Sequence, residues 1–275
     1  MGHNQLETRP IAGSLGAEVH GVDLSRDLDA ATFDGVHQAL LRHGVIFFRD
    51  QDITPDQQLA LAKRWGGVHL HPYIPSLPDH PGVFEIVKDV DDVHTLGGMW
   101  HTDQMFTPTP VRATMLYAKE VPPAGGDTMF ANMYLAYDAL SDGMKDMLRG
   151  LRTVNQYNKK KKRAAAMQVS KPEEEPITAE HPLIRRHTET GRDALYISYD
   201  GITRRIAGMS DEESRPILDY LLEHATRPEF TCRFRWEEGS LALWDNRCVL
   251  HMAMNDYHGY RRVMHRITIE GEATL

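Results

Sequence analysis

Three residues of this chain are of the types that together hold a reactive transition metal: His101, Asp103 and the distant His251. Two histidines and one carboxylate make a facial triad, which covers one face of an octahedron around Fe(II) and leaves the other face open for chemistry. His101 and Asp103 stand two apart in Trp100-His101-Thr102-Asp103, so on a strand both side chains leave the same face. The third ligand then has to arrive by folding. A His-x-Asp pair occurs by chance in many chains, and its weight depends on its company. Gly126-Asp127-Thr128 sets a hydroxyl after a tight turn, and Arg261-Arg262 and Arg266 follow His251. Arg262 and Arg266 share a face on a strand, and an arginine fork suits bidentate recognition of a carboxylate or sulfonate. A keto-diacid needs such a set: a metal to chelate its 2-oxo-carboxylate and a cationic anchor for its far carboxylate. The bland alternative for the two arginines is a pair of surface ion pairs.

The elements that must carry these residues are short strands and a few amphipathic helices. Residues 13–24 mix Gly with alternating apolar positions and read as a hairpin or paired strands. Phe33, Val36, Leu40 and Leu41 recur at helical spacing between Asp29 and Arg42, with Gly44 as the stop. Val45–Phe48 is an apolar run that reads as a buried strand. Thr54, Pro55 and Gln57 form a capping box with proline at the first helical position, opening a helix that ends at Gly66-Gly67. Residues 68–99 are loop-rich around one strand at Val83–Val87, and loops this long in a compact domain are usually functional or disordered. His69 and His71, just ahead of Pro72, favour function; His80 and His94 read as solvated.

Further strands are expected at Ala113–Ala118, Met129–Ala131, Thr231–Trp236, Leu241–Trp244 and Val263–Ile269. A hairpin is expected around Thr190-Gly191, and helices at 133–140, 142–149 and from Ser210 to Ala225. Residues 155–176 carry Lys159–Arg163 and Pro172–Pro176 and read as a solvated, mobile lid. The expectation is one domain over 1–275, without repeats, mainly β with flanking helices (α+β).

With 41% hydrophobic and 25% charged residues the composition is that of an ordinary globular protein. A net charge of −8 gives no electrostatic support to nucleic-acid or anionic-membrane binding. No apolar run is long enough to span a bilayer and the N-terminus has no signal-peptide profile, so a cytoplasmic enzyme is expected. Cys232 and Cys248 make no disulfide framework and read as two reduced, semi-buried thiols.

WHTD at 100–103, PPAGGDT at 122–128, WDNR at 244–247 leading to His251, and NDYHGYRRVMHR at 255–266 together closely resemble the taurine dioxygenase family. This family of Fe(II)/2-oxoglutarate oxygenases includes 2,4-dichlorophenoxyacetate and alkylsulfatase members. The resemblance runs from GAEV…GVDL at 16–24 to the last strand. It implies a double-stranded β-helix, a jelly-roll and cupin-like fold. It also implies that His101, Asp103 and His251 bind iron, and that Thr128 and Arg262 hold the distal carboxylate of 2-oxoglutarate. Arg266 would face the anionic group of the primary substrate, and Trp244 and Asn246 would support the site. The implied chemistry consumes O2, converts 2-oxoglutarate to succinate and CO2, and hydroxylates a C–H bond; a homodimer or homotetramer is the family expectation.

The same resemblance places substrate contacts at His71, Tyr73, Ile74, Gly97, Gln104 and Ile202, with Lys160 and Lys161 as lid contacts. His71 matches a sulfonate-binding His. The positions that hold taurine's amine through a Tyr and an Asn are here Ile74 and Gly97, which argues against taurine itself. An anionic substrate with an uncharged or larger remainder is expected: a sulfonate, a sulfate ester, or an aryloxy or other carboxylate. The rivals are a family member that desaturates or tailors a biosynthetic intermediate, and a non-catalytic jelly-roll binding protein. The latter has no need of the triad, Thr128 and Arg262 together. A nucleic-acid adaptor using the lysine run lacks an accompanying aromatic pattern.

Overall fold

The run Val45–Phe48 is buried at all its positions because its side chains enter two different cores. Val45 and Phe47 join one and Ile46 and Phe48 the other, as a strand sandwiched on both faces requires. The computed structural model describes residues 6–71, 74–157, 177–199 and 201–274. Its strands are β1 (Glu7–Pro10), β2 (Ala17–His20), β3 (Val45–Phe48), β4 (Val68–His69), β5 (Phe84–Lys88), β6 (Ala113–Glu120), β7 (Thr128–Asn132) and β8 (Arg152–Gln156). They continue as β9 (Thr178–Pro182), β10 (Ile184–Arg186), β11 (Asp193–Leu195), β12 (Thr203–Ile206), β13 (Thr231–Phe234), β14 (Leu241–Asp245), β15 (Val249–Ala253) and β16 (Arg262–Ile269). The helices are α1 (Ala30–His43), α2 (Pro55–Lys63), α3 (Met133–Asp138), α4 (Asp142–Leu148) and α5 (Asp211–Ala225). The protein is thus mainly β with some helices.

The main sheet runs β1-β2-β3-β14-β6-β16-β4, with β5 also paired to β16; β13-β7-β15 forms a second sheet. Two smaller sheets, β12-β8-β9 and β10-β11, complete the strand set. Between the main and second sheets lie Phe47, Leu116, Ala118, Phe130, Phe234, Trp244 and Met264. The opposite face of the main sheet presents Ile46, Phe48, Met115, Tyr117, Leu243, Ile267 and Ile269 to Val36 and Leu40 of α1 and Leu59 and Ala62 of α2. These helices start where the side chains dictate. Asp29 accepts from the Thr32 amide at the head of α1, and Thr54 and Gln57 cap each other at the head of α2. Ser210 and Glu213 repeat the device on α5.

Several expectations need correction. Residues 100–103 are not a strand: only His101 is bridged, and the chain turns at Asp103. The first strand pair uses β1, upstream of residue 13. The lid cannot begin at 155, because Asn155 and Gln156 belong to β8 and pair with β9, and Tyr157 is buried. Lys160 and Lys161, with the rest of the lysine run, lie outside the described residues, as does Tyr73. His80 is not simply solvated but pairs with Asp56 at 3.1 Å. Both cysteines are fully buried and free. Among the described residues no helix is long and apolar enough to cross a membrane.

Candidate metal centre and its cavities

His251 sits mid-strand on β15, and its backbone exchanges two hydrogen bonds with His101 at 2.9 and 3.0 Å. This isolated antiparallel bridge sends both imidazoles to the same side, with ring centroids 4.1 Å apart. The chain then bends, Gln104 taking a left-handed φ of 50° that few non-glycine residues adopt. Asp103, just ahead of this residue, has its Oδ1 3.6 Å from Nε2 of His101 and 3.6 Å from Nε2 of His251. Metal–ligand bonds of about 2.1 Å at octahedral right angles set neighbouring ligand atoms about 3 Å apart, close to both Asp103 edges of this triad.

The donor set fits Fe(II) in chemistry as well as spacing. The Met99 carbonyl accepts a hydrogen bond at 2.7 Å from Nδ1 of His101, which leaves the Nε2 lone pair for a metal. Burial holds His251 well below the usual imidazole range, as a neutral ligand requires. Burial by itself would raise the Asp103 carboxyl. The Arg266 guanidinium, then His251 and His101 and the Thr114 hydroxyl, outweigh it and keep Asp103 ionised.

A hydrogen-bonded chain fixes the carboxylate from behind. Thr114 Oγ1 donates to Asp103 Oδ2 at 2.7 Å, and Asn246 Nδ2 donates to Thr114 Oγ1 at 2.9 Å. Asn246 Oδ1 in turn accepts from Trp244 Nε1 at 3.1 Å and from the Asp103 amide at 3.4 Å. Trp244 and Asn246 therefore support the site as expected. Thr114 was invisible in the sequence, where a Thr on a strand carries no signal.

Two cavities meet at the triad. The smaller, of about 40 Å³, is lined by Thr128, Arg262, His101, His251 and Arg266 among others. Thr128 Oγ1 accepts a hydrogen bond from Trp236 Nε1 at 2.9 Å. Gly125 and Gly126, both at positive φ, make the turn that delivers Thr128; a side chain on Gly125 would strike the Asp256 carbonyl at 2.8 Å. Arg262 is 5% exposed, and its Nε and Nη2 have no hydrogen-bond partner among the described residues. Its neighbour Arg261 points outward and pairs with Asp89 and Glu120, as the alternation of a strand requires.

The larger cavity, of about 380 Å³, is lined by His71, Ile74, Gly97, Gln104, Ile202 and Arg266, which brings every described member of the expected substrate set together. Leu96, Met99, Phe106, Tyr199 and Asn255 also line it and were missed, since loop residues carry no periodic signal. His94, expected to be merely solvated, lies on the wall, whereas His69 sits on β4 and does not line it. Gly97 has a φ of 78°, and a Cβ there would come within 3.1 Å of His101 Cε1. Arg266 borders both cavities, pairs with Asp103, and keeps a buried Nε without a hydrogen-bond partner among the described residues.

Residues 7–268 match the family described as "Taurine catabolism dioxygenase TauD, TfdA family". The chain belongs to this family. It is 36% identical to an alpha-ketoglutarate-dependent sulfate ester dioxygenase of Pseudomonas putida, over 98% of this chain and 91% of that protein. It is 34% identical to an alkylsulfatase of Acinetobacter baylyi, over 98% and 86%. The crystal structure of a taurine dioxygenase from Burkholderia xenovorans matches with a TM-score of 0.85 at 37% identity, covering 98% of this chain and 91% of that one. Family members are 2-oxoglutarate-dependent dioxygenases that use Fe(II) and O2, and this chain is such an oxidoreductase.

Proposed function

We propose that this enzyme hydroxylates a small anionic organic substrate (a sulfonate, a sulfate ester, or an aryloxy or other carboxylate), releasing succinate and CO2. The observation that carries the reading is the meeting of the two cavities at His101, Asp103 and His251, with Arg262 and Thr128 in one and Arg266 shared by both. In this reading the triad holds Fe(II), and Thr128 and Arg262 hold the distal carboxylate of 2-oxoglutarate. Arg266 and His71 hold the anionic group of the primary substrate. When bound, iron and 2-oxoglutarate supply the oxidising equivalent for C–H hydroxylation. The chain's own contribution is orientation and exclusion of water: Arg266 and His71 fix the charged end, while Ile74, Phe106 and Ile202 surround the body.

Asp103 is the only carboxylate on the wall of the larger cavity among the described residues, so a cationic amine would find no ion-pair partner there other than the proposed metal ligand. That supports an uncharged remainder and speaks against taurine. A hydroxylated carbon bearing sulfate, sulfonate or aryloxide would collapse and release the anion or the phenol. The paired sheets support a double-stranded β-helix. We read residues 1–275 as one domain, located in the cytoplasm and assembled as a homodimer or homotetramer.

The test is succinate formation from 2-oxoglutarate with Fe(II), ascorbate and air, across alkyl sulfates, sulfonates and aryloxy acids. Sulfate esters come first because the relatives include an alkylsulfatase and a sulfate ester dioxygenase. One class should stimulate turnover, and Arg266→Ala should raise its KM. An unchanged KM would remove Arg266 from the substrate site, and taurine as the best substrate would overturn the argument from Ile74 and Gly97.

A further inference from the structure

Arg262 is not the only buried cation on its face of the main sheet. Lys88, the last residue of β5, is its direct register partner on β16, so the two side chains project from the same side of the sheet. Lys88 is 3% exposed, and its Nζ has no hydrogen-bond partner among the described residues. Among the described residues its Nζ lies over the Tyr257 ring, 4.5 Å from the centroid. The acids nearby are committed elsewhere. Asp256 pairs with Arg233, and Asp89 and Glu120 pair with Arg261; Asp127 gives its Oδ2 to Arg233 and acts on Arg262 only through its charge, forming no ion pair with it. Two like charges thus face each other, both withdrawn from water and both without an ion-pair partner among the described residues. Such an arrangement is costly unless an anion completes it.

Tyr257 ties the second cation to the pocket. Its ring packs on Gly126, where a Cβ would lie 3.2 Å from Tyr257 Cδ1, and Gly126 belongs to the turn that delivers Thr128. One ring therefore backs both Lys88 and the Thr128 turn. Lys88 does not line the small cavity, so it acts through its field rather than by touching a ligand.

We propose that Lys88 is a positioning residue for the co-substrate: a second buried positive charge that, with Arg262, makes the pocket selective for a 2-oxo acid carrying a distal carboxylate. This rests on the assignment of Arg262 and Thr128 to that carboxylate, and the two can be tested apart. The measurement is calorimetric binding to the full chain loaded with Mn(II). The probes are N-oxalylglycine, which has the distal carboxylate, and N-methyloxamate, which is the same molecule without it.

Lys88→Met keeps the length of the side chain and removes an unpaired buried charge, so the unfolding midpoint should hold or rise. It should weaken N-oxalylglycine binding about 10-fold, equivalent to about 1.4 kcal/mol, and leave N-methyloxamate within about twofold. Lys88→Arg should restore most of the diacid affinity, and Lys88→Gln serves as a second neutral variant. Equal weakening of both probes, or an unchanged diacid affinity while Arg262→Met loses it, would overturn the role of Lys88 and leave Arg262 in place. Unchanged diacid affinity in Arg262→Met as well would overturn both assignments.

Discussion

Two buried clusters in this protein use nearly the same residue types and do opposite things. One gathers His101, Asp103, His251 and Arg266; the other gathers His187, Asp245, Cys248 and Arg247, and each brings three metal-type ligand atoms within 4.8 Å of one another. In the second cluster every polar atom is spoken for. Asp245 accepts from Arg247 Nε and Nη2 and from His187 Nε2, while His187 Nδ1 accepts from the Glu189 and Thr190 amides. Arg247 also reaches Glu189, which pairs with Arg112 and His37. No lone pair on His187 is left for a metal, so this network serves to stitch the β10–β11 hairpin to β14 and α1. Around the triad, by contrast, buried atoms of His251, Arg262 and Arg266 have no hydrogen-bond partner among the described residues, and each of these residues lines a cavity. Among like residues, satisfaction marks structure and its absence marks function.

The sharpest way to break the comparison is to cut one residue from each cluster. His101→Ala should abolish iron binding and succinate formation, at least about 1,000-fold below wild type, with little change in the unfolding midpoint. Asp245→Asn should keep the turnover of each folded molecule and lose about 3–5 kcal/mol of stability by urea titration, since it strands Arg247 in the interior. If Asp245→Asn instead lost iron with stability unchanged, the two clusters would have been assigned the wrong way round.

A smaller effect lies between the extremes. Thr114→Val removes the hydroxyl behind Asp103 without changing the shape of the side chain. It should lower kcat or iron affinity about 10- to 100-fold, with a much smaller loss of stability. An equal fall in stability and activity would mean that Thr114 belongs with the structural network.

Acid titration should separate the clusters again in metal-free protein. His251 has its folded pKa lowered by burial, so the unfolded state binds more protons as the pH falls below about 6.5 and stability falls with it. His181, held down to about 4 by burial, adds to the same window. Asp245 would be raised by burial, but the Arg247 charge and hydrogen bonds from Arg247 and His187 hold it well below the usual carboxylate range. Its contribution is therefore full above about pH 4 and fades as pH drops further. His251→Gln should flatten the upper limb of the stability profile, and Asp245→Asn only the lower one. The smallest effect is expected at Arg261, where replacement by Gln should move neither activity nor midpoint measurably, although the next residue is Arg262.

The residues' own chemistry made much of this legible beforehand. The caps of α1, α2 and α5 were readable because Asp29, Thr54 with Gln57, and Ser210 with Glu213 act on amides within the same turn. The buried strands were readable because apolar β-branched and aromatic runs have few other solutions. The triad and both arginines stood out by type, order and family resemblance. The condition of a strand at 100–103 was not met, because period-two reasoning cannot see that an isolated bridge to His251 followed by a turn at Asp103 also brings the two side chains together.

What the sequence determined alone is whatever depends on near neighbours: helix starts, strand runs, and the alternation that turns Arg262 inward and Arg261 outward. The rest depends on partners that only folding brings together. Thr114 lies behind Asp103 through a contact spanning the β6 strand and the metal loop, and Lys88 faces Arg262 across two strands far apart in sequence. A hydrogen bond or a missing ion pair is a property of two or more groups in space. Only the folded chain shows which buried charges have found a partner and which still lack one.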